Sequence, residues 1–311
     1  LLDLYASTNG DGWTDSSGWG GAPGTECTWF GVSCDGALSY VRDISLGFNE
    51  LSGTLPDLVA LTQLRSLRLN SNDITGDLPP LSEFAFLEDF DIGNCEFTGS
   101  IPTPGPQLRS FRARSNQLTG SIPALSDYVN LRDVDVSRNQ LSGGIPALPP
   151  QLRLFYAERN QLSGQIPPLQ QLSNLIYIDV ANNQLSGTIP NLAGLSALQG
   201  FSISHNAVSG PIPALGGLAS LQMFLADDNL LGGTLPSLAD LTSLQYLTLA
   251  NNQLSGPLPA LPEPSALVAA SLCPNHFDPV DSLEWDALTG DTLWHLECTP
   301  LPDLLFANGF D

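Results

Sequence analysis

The chain has 311 residues, of which 32 are acidic and 10 basic, and every basic residue is an arginine. The formal net charge of −22 at pH 7 excludes phosphate backbones and anionic membrane surfaces as primary partners, because both would repel the protein. Hydrophobic residues make up 42% of the chain, which excludes a disordered protein. No apolar run approaches the roughly 18 residues of a membrane-spanning helix.

The first predicted element is a short helix at the N-terminus, where Leu1, Leu4 and Tyr5 share one face. The segment up to residue 38 is rich in tryptophan and precedes a regular repeat. An array of repeats exposes its core at both ends unless other segments cover it. Residues 1–38 are therefore predicted to be an N-terminal cap with buried tryptophan side chains.

A motif of the form Asn-x-Leu-x-Gly-x-Ile/Leu-Pro recurs from residue 39 onwards at spacings of 21 or 23 residues. One position of the motif, which we call the asparagine column, anchors the numbering of each repeat. It is occupied by Asn49, Asn72, Cys95, Asn116, Asn139, Asn160, Asn183, Asn206, Asn229 and Asn252, and in a degenerate eleventh repeat by Asn275. This periodicity is the leucine-rich repeat pattern.

Each repeat predicts one short strand, because apolar residues alternate at five and three positions before the asparagine column. Glycine four positions after the column indicates a positive φ or a close backbone approach. Proline seven positions after it resists a helix, so the convex side is predicted to be extended or 3₁₀. The fold class is an α/β solenoid of about eleven leucine-rich repeats with a concave parallel sheet. The predicted domains are the cap 1–38, the repeats 39–275, and a second cap with a tail, 276–311.

Two sequence features resemble known families. The form Leu-x-x-Asn-x-Leu-x-Gly-x-Ile-Pro resembles the plant-type leucine-rich repeat, and residues 27–35 are similar to the N-terminal cap of plant receptor ectodomains and polygalacturonase inhibitors. The resemblance covers about residues 1–277 and implies an extracellular binding module with a paired-cysteine cap and a second short sheet. The segment Asn9–Trp13, the tail 305–311 and the absence of Asn-x-Ser/Thr sequons favour a secreted bacterial relative. A signal peptide is expected either to have been removed or to lie before Leu1.

The five cysteines divide into two predicted pairs and one single residue. The cap resemblance implies a Cys27–Cys34 disulfide, and Cys95, in the asparagine column, is predicted to be a buried thiol. Cys273 and Cys298 are predicted to form a second disulfide, which suits an oxidising compartment. An alternative remains open at the same place, since Cys273, His276, His295 and Cys298 form a candidate Zn²⁺ set.

Catalytic constellations are weak. His205 and Asp228 occupy equivalent positions in adjacent repeats and could touch, but strand alternation places neighbouring Ser204 on the opposite side. Asp89 and Asp91 share a face, yet flanking arginines favour structural ion pairs over glycosidase chemistry. The protein is therefore predicted to be non-enzymatic and to need no cofactor.

All ten arginines fall between residues 42 and 159, within seven positions before the asparagine column. Two explanations stay open: a ladder of ion pairs in which Arg and Asp alternate four positions before the column, or a recognition surface of arginine and aromatic anchors. The candidate ligand-binding residues of the concave face are Arg68, Arg112, Arg114, Arg138, Tyr156, Arg159 and Tyr177.

The leading functional hypothesis is a secreted or cell-surface module that binds a protein or peptide ligand on this face. The alternative is an inhibitor of a secreted polysaccharide-degrading enzyme, or a binder of acidic polysaccharide. A remote alternative is an ice-binding protein. The predicted partners exclude nucleic acid and membrane insertion.

Overall fold

The computed structural model describes residues 1–278 and Trp285. The chain divides into two compact units, residues 1–163 and 164–311, and each is described by itself. Both are built from leucine-rich repeats with parallel strands and little helix, as the repeat pattern predicts. No helical segment within the described residues is long and apolar enough to cross a bilayer.

The N-terminal cap consists of an α-helix, Leu2–Ser7, and two 3₁₀ segments, Gly10–Gly12 and Glu26–Thr28. Trp13, Trp19 and Trp29 are buried against one another. Their indole N–H groups donate to cap residues, so the rings are anchored as well as packed. The predicted Cys27–Cys34 disulfide is present.

The first unit carries a main sheet in which only the first pair is antiparallel. Val32–Cys34 pairs with Val41–Ser45, and parallel strands follow at the predicted positions. These strands are Ser66–Arg68, Asp89–Asp91, Ser110–Arg112, Asp133–Asp135 and Leu154–Tyr156.

Shorter strands on the far side of each repeat form small parallel sheets, as the family resemblance implies. In the first unit they are Ser52–Thr54, Asp73–Asp77, Glu96–Thr98 and Ser142–Gly143, with Gln161–Gln165 running across the unit boundary. A 3₁₀ turn, Leu81–Glu83, replaces extended chain in one arc.

The second unit repeats the same plan. Its main-sheet strands are Tyr177–Asp179, Gly200–Ser202, Met223–Leu225, Tyr246–Thr248 and Ala269–Ser271, all parallel. Its short strands are Gln184–Ser186, Ser209–Gly210, Leu230–Gly233, Gln253–Gly256 and His276–Phe277.

The core of each repeat is formed by the predicted alternating apolar residues. Leu67 and Leu69, five and three positions before Asn72, are fully buried, and each such side chain contributes about 1.5–3 kcal/mol of transfer free energy. Asn72 is also buried. Its amide donates to the carbonyls of Leu46 and Leu69, and its oxygen accepts from the N–H of Leu51. The asparagine column therefore satisfies backbone groups that no strand pairs.

Two backbone positions in each of the first ten repeats have a positive φ. The predicted glycine four positions after the asparagine column is one, with Gly53 at 111° and Gly164 at 79°. The other, immediately before the column, is never glycine; Arg138 and His205 have φ of 54° and 55° there. This left-handed residue ends the alternation of side chains at the end of each main-sheet strand.

Near the C-terminus, Trp285 is buried and donates to the carbonyl of Pro259. Cys273 is disulfide-bonded, which favours the disulfide over a zinc-bound thiolate. Its predicted partner Cys298, and His295 of the alternative set, lie outside the described residues. The assignment of residues 276–311 to a cap stays a prediction.

Candidate functional site

The exposed side of the main sheet in residues 1–163 concentrates the arginines, and we call it the arginine face. Strand register brings side chains of successive repeats alongside one another; Asp91, for example, lies between Arg68 and Arg112. Neighbouring strands are about 4.8 Å apart, so charges on adjacent repeats interact directly.

Four of the ten arginines form an ion-pair network. Oε1 of Glu88 lies 2.8 Å from Nη1 of Arg65, and Oε2 of Glu88 lies 3.2 Å from Nη1 of Arg109. Asp89 accepts a hydrogen bond from Nε of Arg68 at 2.6 Å, and Arg112 lies 3.7 Å from both Asp89 and Asp133. This network confirms that Asp89 belongs to structural ion pairs.

The predicted route of the ladder is wrong in one respect. Arginines four positions before the asparagine column pair with acids six positions before it, not with the acids of their own column. The acids of that column turn instead to their own chain: Asp91 accepts from the N–H of Gly93, and Asp135 from the N–H and hydroxyl of Ser137. These carboxylates therefore accept hydrogen bonds from nearby backbone N–H groups and do not pair with arginines on the adjacent strands.

The carboxyl groups of Asp91 and Asp135 both have raised pKa values. Burial raises the pKa of Asp91 above its usual value, outweighing the N–H of Gly93 and the nearby Arg112. Burial also raises the pKa of Asp135, against the opposing effects of Ser137 and of two arginines.

Another part of the arginine face carries arginines that form no ion pair with the residues that the structure describes. Four arginine side chains are exposed and form no ion pair with another residue in the part of the chain that the structure describes. They are Arg132, Arg138, Arg153 and Arg159. Arg114 is half-buried, and its Nε has no hydrogen-bond partner within the described ranges.

The predicted binding residues therefore separate into two groups. Arg68 and Arg112 belong to the ion-pair network, whereas Arg114, Arg138 and Arg159 do not. Tyr156 lies half-buried on the same sheet. Tyr177 belongs to the second unit, where its hydroxyl donates to Gln199 at 3.1 Å and burial raises its pKa.

The second unit contains a polar cluster that the sequence interpretation underestimated. His205 does contact Asp228, with Nδ1 to Oδ2 at 3.1 Å, as its position suggested. The placement of Ser204 on the opposite side was wrong: its hydroxyl donates to Asp227 at 2.5 Å, and His205 Nε2 lies 3.7 Å from the same carboxylate. The strand ends at Ser202, and the left-handed His205 then turns both side chains toward one acid.

Cys95 is a buried thiol, as predicted. Its Sγ contacts the carbonyl oxygen of Leu69 at 3.4 Å, and burial raises its pKa to about 11. A thiol that stays protonated at neutral pH is a poor nucleophile, so its role in the fold is structural.

The comparisons with known proteins agree with this architecture. The family model described as Leucine Rich Repeat matches residues 130–152, 174–194 and 243–263. No curated protein sequence matches the chain significantly.

Among solved structures, the chain is similar to the leucine-rich repeat ectodomain of the Arabidopsis thaliana receptor kinase GASSHO1/SCHENGEN3, in complex with CASPARIAN STRIP INTEGRITY FACTOR 2. The identity is 34% and the TM-score 0.75, covering 81% of this chain and 32% of that one. The plant peptide hormone receptor RGFR1, in complex with RGF2, is 30% identical with a TM-score of 0.69, covering 75% and 40%. A leucine-rich repeat protein of Leptospira interrogans is 26% identical with a TM-score of 0.57, covering 79% and 64%.

The chain thus spans about a third of the first structure and two fifths of the second. Its fold is that of a leucine-rich repeat solenoid with plant receptor ectodomains among its structural neighbours. The bacterial origin and the likeness to polygalacturonase inhibitors stay predictions.

Proposed function

We propose that this protein is a non-enzymatic extracellular recognition module that binds a protein or peptide ligand on the arginine face. The observation that carries the proposal is the set of exposed arginines that form no ion pair with any described residue, in a chain with 32 acidic residues. An external anion would supply the counter-charge that the described residues do not give these side chains.

The arrangement of these arginines supports an anionic ligand. Arg138 and Arg159 hold the same position on adjacent repeats, as do Arg132 and Arg153. Like charges on neighbouring strands repel each other, and carboxylates of a bound ligand would remove that repulsion. Tyr156, between the two arginine pairs along the repeat, offers the aromatic surface that interface anchors commonly use.

The structural neighbours support the class of partner. Two of them are plant receptor ectodomains whose structures contain bound factors, one described as a peptide hormone receptor. We therefore propose an acidic protein or peptide segment as the ligand, with Arg114, Arg138, Tyr156 and Arg159 as anchors. Arg68 and Arg112 would hold the surrounding carboxylates in place, and Tyr177 remains a proposed contact.

A displayed random-peptide library, selected on the wild-type protein, tests the proposal without a known ligand. Selected peptides should be rich in Asp and Glu, and should lose about thirtyfold or more in affinity for the Arg138→Ala/Arg159→Ala variant. The matched control is Arg65→Ala/Arg109→Ala, which removes the same charge from ion-paired positions and should bind nearly as well as wild type. Equal binding to all three proteins would overturn the proposal. Polygalacturonate, measured on the same variants, tests the acidic-polysaccharide alternative.

A further inference from the structure

The second unit presents a group of metal-binding side chains on one short stretch of two adjacent repeats. We propose that His205, Asp227 and Asp228 bind a single divalent transition-metal ion, of which Zn²⁺ is the best matched. One nitrogen of the imidazole and one oxygen of each carboxylate lie within 4.8 Å of one another.

The backbone brings these three residues together. His205 and Asp228 both have left-handed φ values, 55° and 54°, at equivalent positions of neighbouring repeats. The N–H of His205 donates to the carbonyl of Asp227 at 2.9 Å, which fixes the two repeats side by side. The imidazole is half exposed, so it can reorient toward an ion while the backbone stays in place.

Neighbouring donors orient both carboxylates. Oδ1 of Asp227 accepts from the hydroxyls of Ser204 at 2.5 Å and Thr248 at 2.6 Å. Oδ1 of Asp228 accepts from the amide of Asn251 at 2.8 Å. Each acid is thereby left with Oδ2 facing His205. Hydrogen bonds of this kind commonly hold ligating carboxylates in metal sites.

Charge supplies an independent reason to expect a cation. Residues 160–311 contain no lysine or arginine, so the second unit has no Lys or Arg side chain that could neutralise the two acids. The half-exposed imidazole is the only basic side chain that contacts either of them among the described residues. A divalent ion would balance the charge of both carboxylates.

The donor set favours zinc over calcium or magnesium. A nitrogen ligand with two carboxylate oxygens suits Zn²⁺, whereas Ca²⁺ prefers six to eight oxygens. Zn–ligand bonds of about 2.0–2.2 Å in a tetrahedron place ligand atoms roughly 3.4 Å apart. The ligand atoms, which lie within 4.8 Å of one another, must therefore approach by up to about 1.4 Å, and the fourth position stays open to water.

Calorimetric titration of Zn²⁺ into the full chain tests the site, with any purification tag removed and metals first stripped with EDTA. Wild type should bind one ion, and His205→Ala and Asp228→Asn should each weaken binding more than tenfold. Ser204→Ala removes only an orienting donor, so its loss should be about tenfold. The controls are His276→Ala, an exposed histidine of the same unit, and Asp240→Asn, an equal change of charge; both should bind like wild type.

Three results would overturn the site. Equal zinc binding by wild type and His205→Ala would mean that the ion collects on an acidic surface. Binding lost in His276→Ala but kept in His205→Ala would place the ion near Cys273 instead. No binding at millimolar zinc would leave the cluster as a contact between histidine and aspartate side chains. Far-ultraviolet circular dichroism on every variant confirms folding, and Asp228→Asn, which preserves shape, gives a second test if His205→Ala misfolds.

Discussion

The thiol of Cys95 lies 3.4 Å from the carbonyl oxygen of Leu69, the same type of contact that Asn72 makes with Leu46 through its amide. The thiol of Cys95 thus replaces the hydrogen-bond donor of the asparagine side chain. It lacks the oxygen with which Asn72 accepts the N–H of Leu51. One repeat of the first unit consequently has a weaker link to its neighbour.

Cys95→Asn should therefore stabilise the protein. The new side-chain oxygen can accept the N–H of Ile74, which occupies the equivalent place, and a net hydrogen bond contributes about 1 kcal/mol. Urea unfolding should show a higher midpoint with an unchanged slope. Cys95→Ala, which offers neither donor nor acceptor, is the comparison and should unfold earlier; the reverse order would contradict this account of the column.

The acidity of Cys95 predicts a loss of stability in alkali. An unfolded thiol has a pKa of about 8.5, whereas burial raises that of folded Cys95 to about 11. Between these values the unfolded chain has lost a proton that the folded chain keeps, so the free energy of unfolding falls as pH rises. Cys95→Ala should show a shallower decline from pH 8.5 to 11. Parallel pH curves for the two proteins would show that the thiol is not responsible.

Most of the fold could be predicted because the repeat constrains it strongly. The spacing of the asparagine column placed the main-sheet strands, and alternation identified Leu67 and Leu69 as buried. The left-handed position before the asparagine column, present in the first ten repeats, was missed, because residues as different as Phe48, Arg138 and His205 occupy it. Short polar residues such as Asn182 and Asn251 in that column were the available signal.

The sites were harder to predict because they depend on side-chain rotamers. Strand register correctly put Arg68 beside Asp91, yet Arg68 pairs with Asp89. The choice is decided by the N–H of Gly93, a competing donor that a column of residue types does not reveal. The cluster at His205 was dismissed for a related reason, since alternation was extended past the last strand residue.

The close fit between the N-terminal cap and the first repeat predicts a position-specific glycine effect. A Cβ at Gly53 would lie 2.3 Å from the carbonyl oxygen of Ser7, whereas one at Gly164 meets nothing within 4 Å. Both have a positive φ, so alanine costs each about 1 kcal/mol. Gly53→Ala should lose roughly a further 1–3 kcal/mol from the clash. Thermal unfolding of the two variants isolates that difference, and equal losses would mean that the cap moves aside easily.

Paired and unpaired arginines should differ in their effect on stability. Arg112 contacts Asp89 and Asp133 at 3.7 Å and is 41% exposed, so Arg112→Ala should cost at most about 1 kcal/mol. Arg138→Ala removes a charge that forms no ion pair with the described part of the chain, and should leave stability unchanged or slightly higher. High salt should reduce the difference in stability between the two variants, because it screens the exposed ion pairs. The measurement is urea unfolding at low and high ionic strength; a larger loss for Arg138→Ala would contradict the division of the arginine face.

Asp135 should destabilise the folded state when it is charged. Burial raises the pKa of this carboxyl in the folded chain, so the folded chain holds the proton more tightly than the unfolded chain does. As pH rises from the unfolded pKa to the folded pKa, the free energy of unfolding therefore falls. Asp135→Asn keeps an oxygen for the N–H and hydroxyl of Ser137 but removes the charge. The variant should therefore unfold at a higher urea concentration than wild type at pH 7. The difference should shrink as pH falls through the folded pKa toward 3, where wild-type Asp135 is itself protonated.

Asp57→Asn, an exposed acid of the same unit, controls for the change in net charge. A variant less stable than wild type at pH 7 would show that attraction to Arg112 and Arg114 outweighs burial.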